Sequence, residues 1–170
     1  MLSVPGTFSF LLFFFSSFFG YVFFMAPFLP LLFFRKQVYQ DIMDFFISLW
    51  LHLPPSCMSL FFGSKVRFFG CIPTTHEWSV IIINHRTRLD WFFYWLACVR
   101  YPNSLRAMRS LKIILKSDLK HIPGAGWAMQ VSRFLFLERK WADDRDHMLK
   151  CVANMVKHCI PNTILIFPVG

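Results

Sequence analysis

Apolar residues run almost without interruption from residue 8 to residue 34, and residues 1–34 contain no charged side chain. About 20 consecutive apolar residues suffice for a helix to cross a bilayer core, so this stretch predicts a membrane segment. A second apolar stretch, residues 42–62, contains Asp44 and His52 and carries Pro54-Pro55. Proline removes a helical hydrogen bond, so this segment reads as interfacial or re-entrant, paired with the first. Beyond residue 62 the pattern changes to short alternating units. Residues 65–69 alternate and end at Gly70, and residues 79–83 form a continuous apolar run, as expected of a strand buried on both faces. A helix is expected over 87–99, strands over 111–115 and 133–137, and a Pro123-Gly124-Ala125-Gly126 turn with a short helix between those strands. Residues 143–159 have helical periodicity, with Met148, Leu149, Val152, Met155, Val156 and Cys159 on one face, three aspartates near the start and Pro161 at the end. A last apolar strand covers 163–167. Strands alternating with helices predict an α/β fold with a mixed, largely parallel sheet behind N-terminal membrane helices. The division falls between an anchoring region, 1–62, and a sheet-bearing region, 63–170.

Two other readings of the N-terminal stretch fail on its pattern. A signal peptide opens with basic residues and has an apolar run of about 7–15 residues, whereas the first basic residue here is Arg35. A buried core helix need not be this long. Tyr39, Trp50 and Arg35-Lys36 suit the water-facing end of a helix pair, and the positive-inside rule places that end in the cytoplasm.

The formal charge of +9 lies entirely in residues 35–170. Its densest part holds Arg100, Arg106, Arg109, Lys112, Lys116 and Lys120 against Asp118 alone. Such a cluster attracts phosphates, and beside an apolar anchor lipid headgroups or a nucleotide cosubstrate fit better than nucleic acid. A solvated charged face is the plain alternative. The five cysteines include no CxxC pair, so reduced thiols are expected rather than a disulfide framework. His147 and Cys151 have i,i+4 spacing, but no third ligand accompanies them; a core-facing cysteine beside a surface histidine is expected, and no metal.

Candidate chemistry concentrates at Asn84-His85-Arg86-Thr87-Arg88-Leu89-Asp90-Trp91. A histidine just beyond a buried strand stands where open α/β sheets bind ligands, and an aspartate near it can fix the imidazole tautomer. The free ring nitrogen could then take a proton from an alcohol, with no serine or cysteine nucleophile. Thr87 and Asp90 also match a capping box, in which Asp90 would only satisfy backbone donors.

Asn84-His85-x4-Asp90 resembles the first motif of the glycerol-phosphate and lysophospholipid acyltransferases, and the octapeptide Asn84 to Trp91 is similar to the lysocardiolipin acyltransferase branch. The likeness continues through Phe19-Gly20, Pro27 to Leu31, Leu115 to Lys120 and Pro123 to Gln130. Phe136 to Trp141 then looks like the second motif and Ile166 to Gly170 like the third. The resemblance implies His85 as general base, Asp90 as its orienting partner, Arg139 and Lys116 as phosphate ligands, and Pro168 and Gly170 as a turn against substrate. It implies acyl-CoA as cosubstrate with no further cofactor, a lysophospholipid or lysophosphatidic acid as acceptor, a bilayer as partner, and the endoplasmic reticulum as location. Two departures stand out: Val169 replaces the third motif's glutamate, and the chain ends at Gly170, before the rest of the family's domain. On that reading the final strand, apolar and expected inside the sheet, would lack partner strands from the family's second half and present an unpaired edge, and little activity is expected of these 170 residues alone. The rival readings are an inactive truncated family member and a basic lipid-binding module without chemistry.

Overall fold

The computed structural model describes residues 4–63, 67, 69, 77–87, 89–157 and 162–167. The expected strand over 65–69 lies almost entirely outside them. The first apolar run forms α1 (Val4–Gly20), continues through a π-helical turn (Tyr21–Met25) and a 3-10 turn (Ala26–Phe28), and closes with a short α2 (Leu31–Phe34). The chain reverses at Arg35, whose backbone leaves the helical region, and returns as α3 (Lys36–Phe62). The aromatic pairs Phe8–Phe61, Phe13–Trp50 and Phe28–Phe46 run in opposite chain directions along the two arms, which makes the pair an antiparallel hairpin. Both arms are long and apolar enough to cross a membrane.

The second arm differs from its expected form. Pro54 and Pro55 sit inside a continuous helix. Their missing N–H groups leave two carbonyls of the preceding turn without helical donors, but Leu51 and Pro55 are packed into the core and hold the helix on course.

Four parallel strands follow: β1 (Ser79–Ile82), β2 (Leu111–Lys116), β3 (Leu135–Leu137) and β4 (Thr163–Ile166), in the spatial order β1-β4-β2-β3. All described pairings are parallel, so the antiparallel component of a mixed sheet is absent among the described residues. The order corrects the expectation of an unpaired last strand. β4 pairs with β1 from Ser79↔Thr163 to Ile82↔Ile166 and with β2 from Leu111↔Thr163 to Ile113↔Leu165, so it lies inside the sheet, with Leu165 fully buried. Its neighbours come from earlier in the chain, as right-handed crossovers permit.

The connecting helices are α4 (Asp90–Cys98), α5 (Ser104–Ser110), α6 (Ala125–Val131) and α7 (Trp141–Lys157). The sequence pattern gave no element for α5, whose seven residues are too few to show a period. α3 packs on α4, α5 and α6, and the core joins Met43, Ile47 and Leu51 of the hairpin to Trp95, Met108, Leu111, Ile113 and Leu165. Gly124, at φ +76°, lets α6 touch the first arm: a Cβ there would collide with the backbone of Ser17 and Phe18. In α7 the expected apolar face is only partly used, for Met155 is buried while Leu149 and Val156 are exposed.

Lys112 also departs from its expected place. It is fully buried, and its Nζ donates to Asp44 Oδ1 at 2.8 Å, so it contributes nothing to a surface cluster.

Candidate active site

Parallel strands place all their carboxyl ends along one edge of the sheet. His85 follows β1, Phe167 follows β4, Lys116 ends β2 and Arg139 follows β3. That edge is where α/β sheets collect ligand-binding groups.

His85 sits just outside β1, which is extended by Ile83 N–H donating to Ile166 O. Its Nδ1 lies 3.2 Å from Asp90 Oδ2. Asp90 opens α4 and also works on the turn before it: Oδ2 accepts from Thr87 N at 2.8 Å and Oδ1 from Thr87 Oγ1 at 2.7 Å. The capping-box interaction and the His85 contact therefore coexist in one carboxylate. The helix begins at Asp90 rather than at residue 87, because Thr87 is held in the turn that this carboxylate closes. Hydrogen bonds from the Thr87 backbone and hydroxyl, with a smaller contribution from His85, depress the Asp90 carboxyl to about 2. An ionised carboxylate only accepts, so the hydrogen between the two belongs to Nδ1 of His85, and in the neutral imidazole the lone pair is then on Nε2.

The imidazole is 40% exposed and rests near Phe167, with ring centroids 5.1 Å apart. Sequence reasoning missed Phe167. Its signal was positional, the residue immediately after a strand that neighbours β1.

Arg139 is exposed and takes a left-handed backbone, φ 63°, directly after β3. Asp144, buried at the start of α7, explains how that conformation is held: Oδ1 accepts from Glu138 N and Oδ2 from Lys140 N, both at 2.9 Å. The carboxylate bridges the two neighbours of Arg139 and fixes the bend that presents it. Asp144 was read in the sequence only as a helix-dipole residue. Lys116 pairs with Asp118, whose carboxyl is lowered by that contact, and Lys120 Nζ lies 3.4 Å from Glu138 Oε1. Arg139 has no such carboxylate partner among the described residues. Pro168, Val169 and Gly170 lie outside the described residues.

Burial raises Cys98 to about 12, and burial also raises Cys151, whose Sγ lies 3.7 Å from His147 Nε2. Cys151 is half-buried rather than core-facing, and no group of three or more candidate metal ligands occurs among the described residues.

Beside the start of α4, an apolar cavity of about 390 Å³ opens between the arms of the hairpin. Phe10, Phe13, Cys57, Met58, Leu89 and Trp91 are among its lining residues, so it reaches the residues on either side of Asp90.

A family profile described as Acyltransferase matches residues 66–170. Lysocardiolipin acyltransferase 1 of Gallus gallus is 44% identical over 170 residues, covering 100% of this chain and 44% of that protein. Its namesake in Mus musculus is 42% identical over the same shares of both chains. Lysophosphatidylinositol acyltransferase 10 of Caenorhabditis elegans is 36% identical over 160 residues, 92% of this chain and 39% of that protein. The chain thus spans less than half the length of these curated relatives, and no solved structure matches it. With the profile covering residues 66–170 and the His85–Asp90 pair standing at the carboxyl edge of the sheet, the chain belongs to the acyltransferase family.

Proposed function

We propose that the protein transfers an acyl chain from acyl-CoA to the free hydroxyl of a lysophospholipid or lysophosphatidic acid at a membrane surface. The observation that carries this reading is the His85–Asp90 contact, which in the neutral imidazole leaves Nε2 as the nitrogen that can act as base. Nε2 takes the acceptor's hydroxyl proton as the oxygen attacks the thioester carbonyl. The C–O bond forms, the C–S bond breaks, and the proton passes from His85 to the departing CoA thiolate.

Arg139 supplies the phosphate contact in this scheme. Its guanidinium can bond two phosphate oxygens at once, which favours it over Lys116, whose ammonium is shared with Asp118. The strand carrying Arg139 lies three spacings from that carrying His85, about 14 Å between axes. The acceptor therefore crosses the ends of β4 and β2, with Lys116 on its path. Arg139→Ala is expected to raise the acceptor KM at least tenfold with a smaller change for acyl-CoA, whereas Lys116→Ala changes it about threefold or less. Acyl transfer from radiolabelled acyl-CoA to a panel of lysophospholipids, measured for these 170 residues and for a form extended by the remainder of the family's domain, tests the function, and no transfer by either form would overturn it.

The apolar cavity beside Asp90 is the place for the acyl chain. Met58→Trp, on its α3 wall, is expected to move acyl preference to shorter chains by several methylenes, each contributing about 0.8 kcal/mol of burial. Unchanged chain-length preference would remove this assignment.

The hairpin lies along the bilayer surface in this reading instead of crossing it. Buried residues of α3 extend from Tyr39 to Pro55, about 24 Å of helix packed against the α/β layer. A crossing helix would draw that layer into a hydrocarbon core about 30 Å thick, where loops and sheet edges are not tolerated facing lipid. The outer faces suit lipid throughout, with Phe10, Phe23, Phe33, Phe34 and Leu60 all exposed. The protein is expected to resist high-salt and carbonate extraction, and impermeant thiol reagents should reach cysteines placed at Arg35 and Gly63 from the same side. Labelling of the two from opposite sides would show a crossing. Residence in the endoplasmic reticulum is part of the proposal and is tested by microscopy of the tagged chain.

A further inference from the structure

The eight buried residues of α3 fall into two rows with a spacing of four: Tyr39, Met43, Ile47, Leu51 and Pro55 in one, Gln40, Asp44 and Ser48 in the other. Rows at that spacing are the ridges by which helices pack into grooves. An apolar ridge repeating every four residues fits its groove nearly as well after sliding by one step, about 6 Å along the axis. Apolar packing alone therefore leaves the axial position of α3 ambiguous.

The second row breaks the degeneracy. Asp44 Oδ1 accepts from Lys112 Nζ at 2.8 Å, and Oδ2 forms an ion pair with Arg133. Asp44 and Lys112 are fully enclosed and Arg133 nearly so. Lys112 lies near the amino end of β2, and Arg133 stands two residues before β3 in a left-handed conformation, φ 64°. Moving α3 by one step in either direction would bring Gln40 or Ser48 to these two cations. Neither carries a charge. The neighbouring Asp41–Arg109 pair is also specific to this position, but its side chains are about half exposed and constrain it weakly.

We infer that Asp44 is a positioning residue that fixes the axial register of the hairpin on the sheet. It acts at the amino edge, opposite His85, and its effect is carried by the rigid helix. At the far end of α3, Pro54, Cys57 and Met58 line the same cavity as Leu89 and Trp91, on either side of Asp90. A step of about 6 Å would replace the α3 residues on that wall by others and change the cavity beside the proposed catalytic pair. Fixing register is the best attested use of a buried polar group among apolar ones. Only the consequence for catalysis rests on the acyltransferase reading; the register itself does not.

The test uses the full chain in nanodiscs of phosphatidylcholine and phosphatidylserine, with spin-labelled unnatural amino acids at Leu60 on α3 and Leu105 on α5, both exposed. Pulsed dipolar spectroscopy of the parent protein should give one narrow distance. Asp44→Ser with Ser48→Asp moves the carboxylate by one step, and the distance should shift by up to about 6 Å. Asp44→Leu with Lys112→Met and Arg133→Met removes all three charges; it should fold, give a broad or two-peaked distribution, and lose at least tenfold in acyl transfer. A single unshifted distance in this triple variant would overturn the inference, and so would its failure to fold, since the triad would then be a stabilising element. Should the double variant not fold, the triple variant decides. A parent protein without transferase activity would overturn the proposed function and leave the distance measurement intact.

Discussion

His85→Ala is expected to lower acyl transfer by on the order of 10³- to 10⁴-fold with little change in acyl-CoA binding, because it removes the group proposed to take the hydroxyl proton. Asp90→Asn should approach the same loss by a different route. An amide can donate to Nδ1 and stabilise the tautomer whose proton sits on Nε2, where a base is needed. It also withdraws the acceptor that closes the Thr87 turn, so the start of α4 loosens. The pH dependence separates the two roles. With its carboxyl depressed from 3.8 to about 2, Asp90 contributes stability that is fully present above the ordinary value and lost only as pH falls through about 2. An acidic limb in the rate well above that pH therefore does not come from Asp90, and its loss from the residual activity of His85→Ala would tie it to His85. A bell or limb unchanged in that variant, or near-normal turnover, would remove His85 from the mechanism.

How much of this could be read from residues alone differs between the elements. β1 and β4 are short, continuous apolar runs and β2 is one apart from Lys112, which made them legible as strands; burial on both faces holds for β4 and the start of β2 but not for β1, an edge strand that exposes Val80 and Ile82. The first arm of the hairpin was legible from length and the absence of charge, and the second from its apolar run despite Asp44. Its continuity through Pro54-Pro55 was not, since a helix tolerates proline when tertiary packing holds the turn, and no local pattern reports such packing. The interior position of β4 was legible from its apolar run, but its partners β1 and β2 were hidden: strand order is a property of crossovers, so a strand last in sequence can be paired on both sides by earlier ones.

At the candidate site, residues joined by short sequence separation were readable and those joined by topology were not. His85 and Asp90 are five apart, and the strand-to-helix junction made their encounter an expectation. Phe167 reaches His85 only because β4 inserts beside β1. Asp144 holds the bend at Arg139 by accepting from both of its neighbours, yet in sequence it is one of three acids at a helix start. Lys112 shows the opposite failure. Counted among six basic residues it suggested a phosphate-seeking surface, and only its distance to Asp44, 68 positions away in sequence, reveals a core residue.

That buried charge sets the second large effect. Asp44→Leu leaves Lys112 and Arg133 enclosed without an anion and is expected to cost about 3–5 kcal/mol, against the roughly 5–15 kcal/mol by which domains are stable. Arg133 is 13% exposed and can turn part of its guanidinium towards water, which places the loss near the lower end of that range. Lys112→Met should be much milder. The triad as it stands has one carboxylate for two cations, so removing the lysine leaves a neutral Asp44–Arg133 pair, and methionine fills most of the space of the lysine stem. Asp41→Ala, which breaks a half-exposed pair one turn away, should cost about 1 kcal/mol or less. The order Asp44→Leu, then Lys112→Met, then Asp41→Ala follows from burial and charge balance alone. Thermal unfolding in detergent checks it: at about 2–4 °C per kcal/mol for a chain of this size, Asp44→Leu should lower the midpoint by roughly 6–20 °C and Asp41→Ala by no more than about 4 °C. Equal losses for Asp44→Leu and Lys112→Met would mean that the two act as a simple pair, with Arg133 satisfied elsewhere. A loss below about 1 kcal/mol for Asp44→Leu would mean that water reaches the triad.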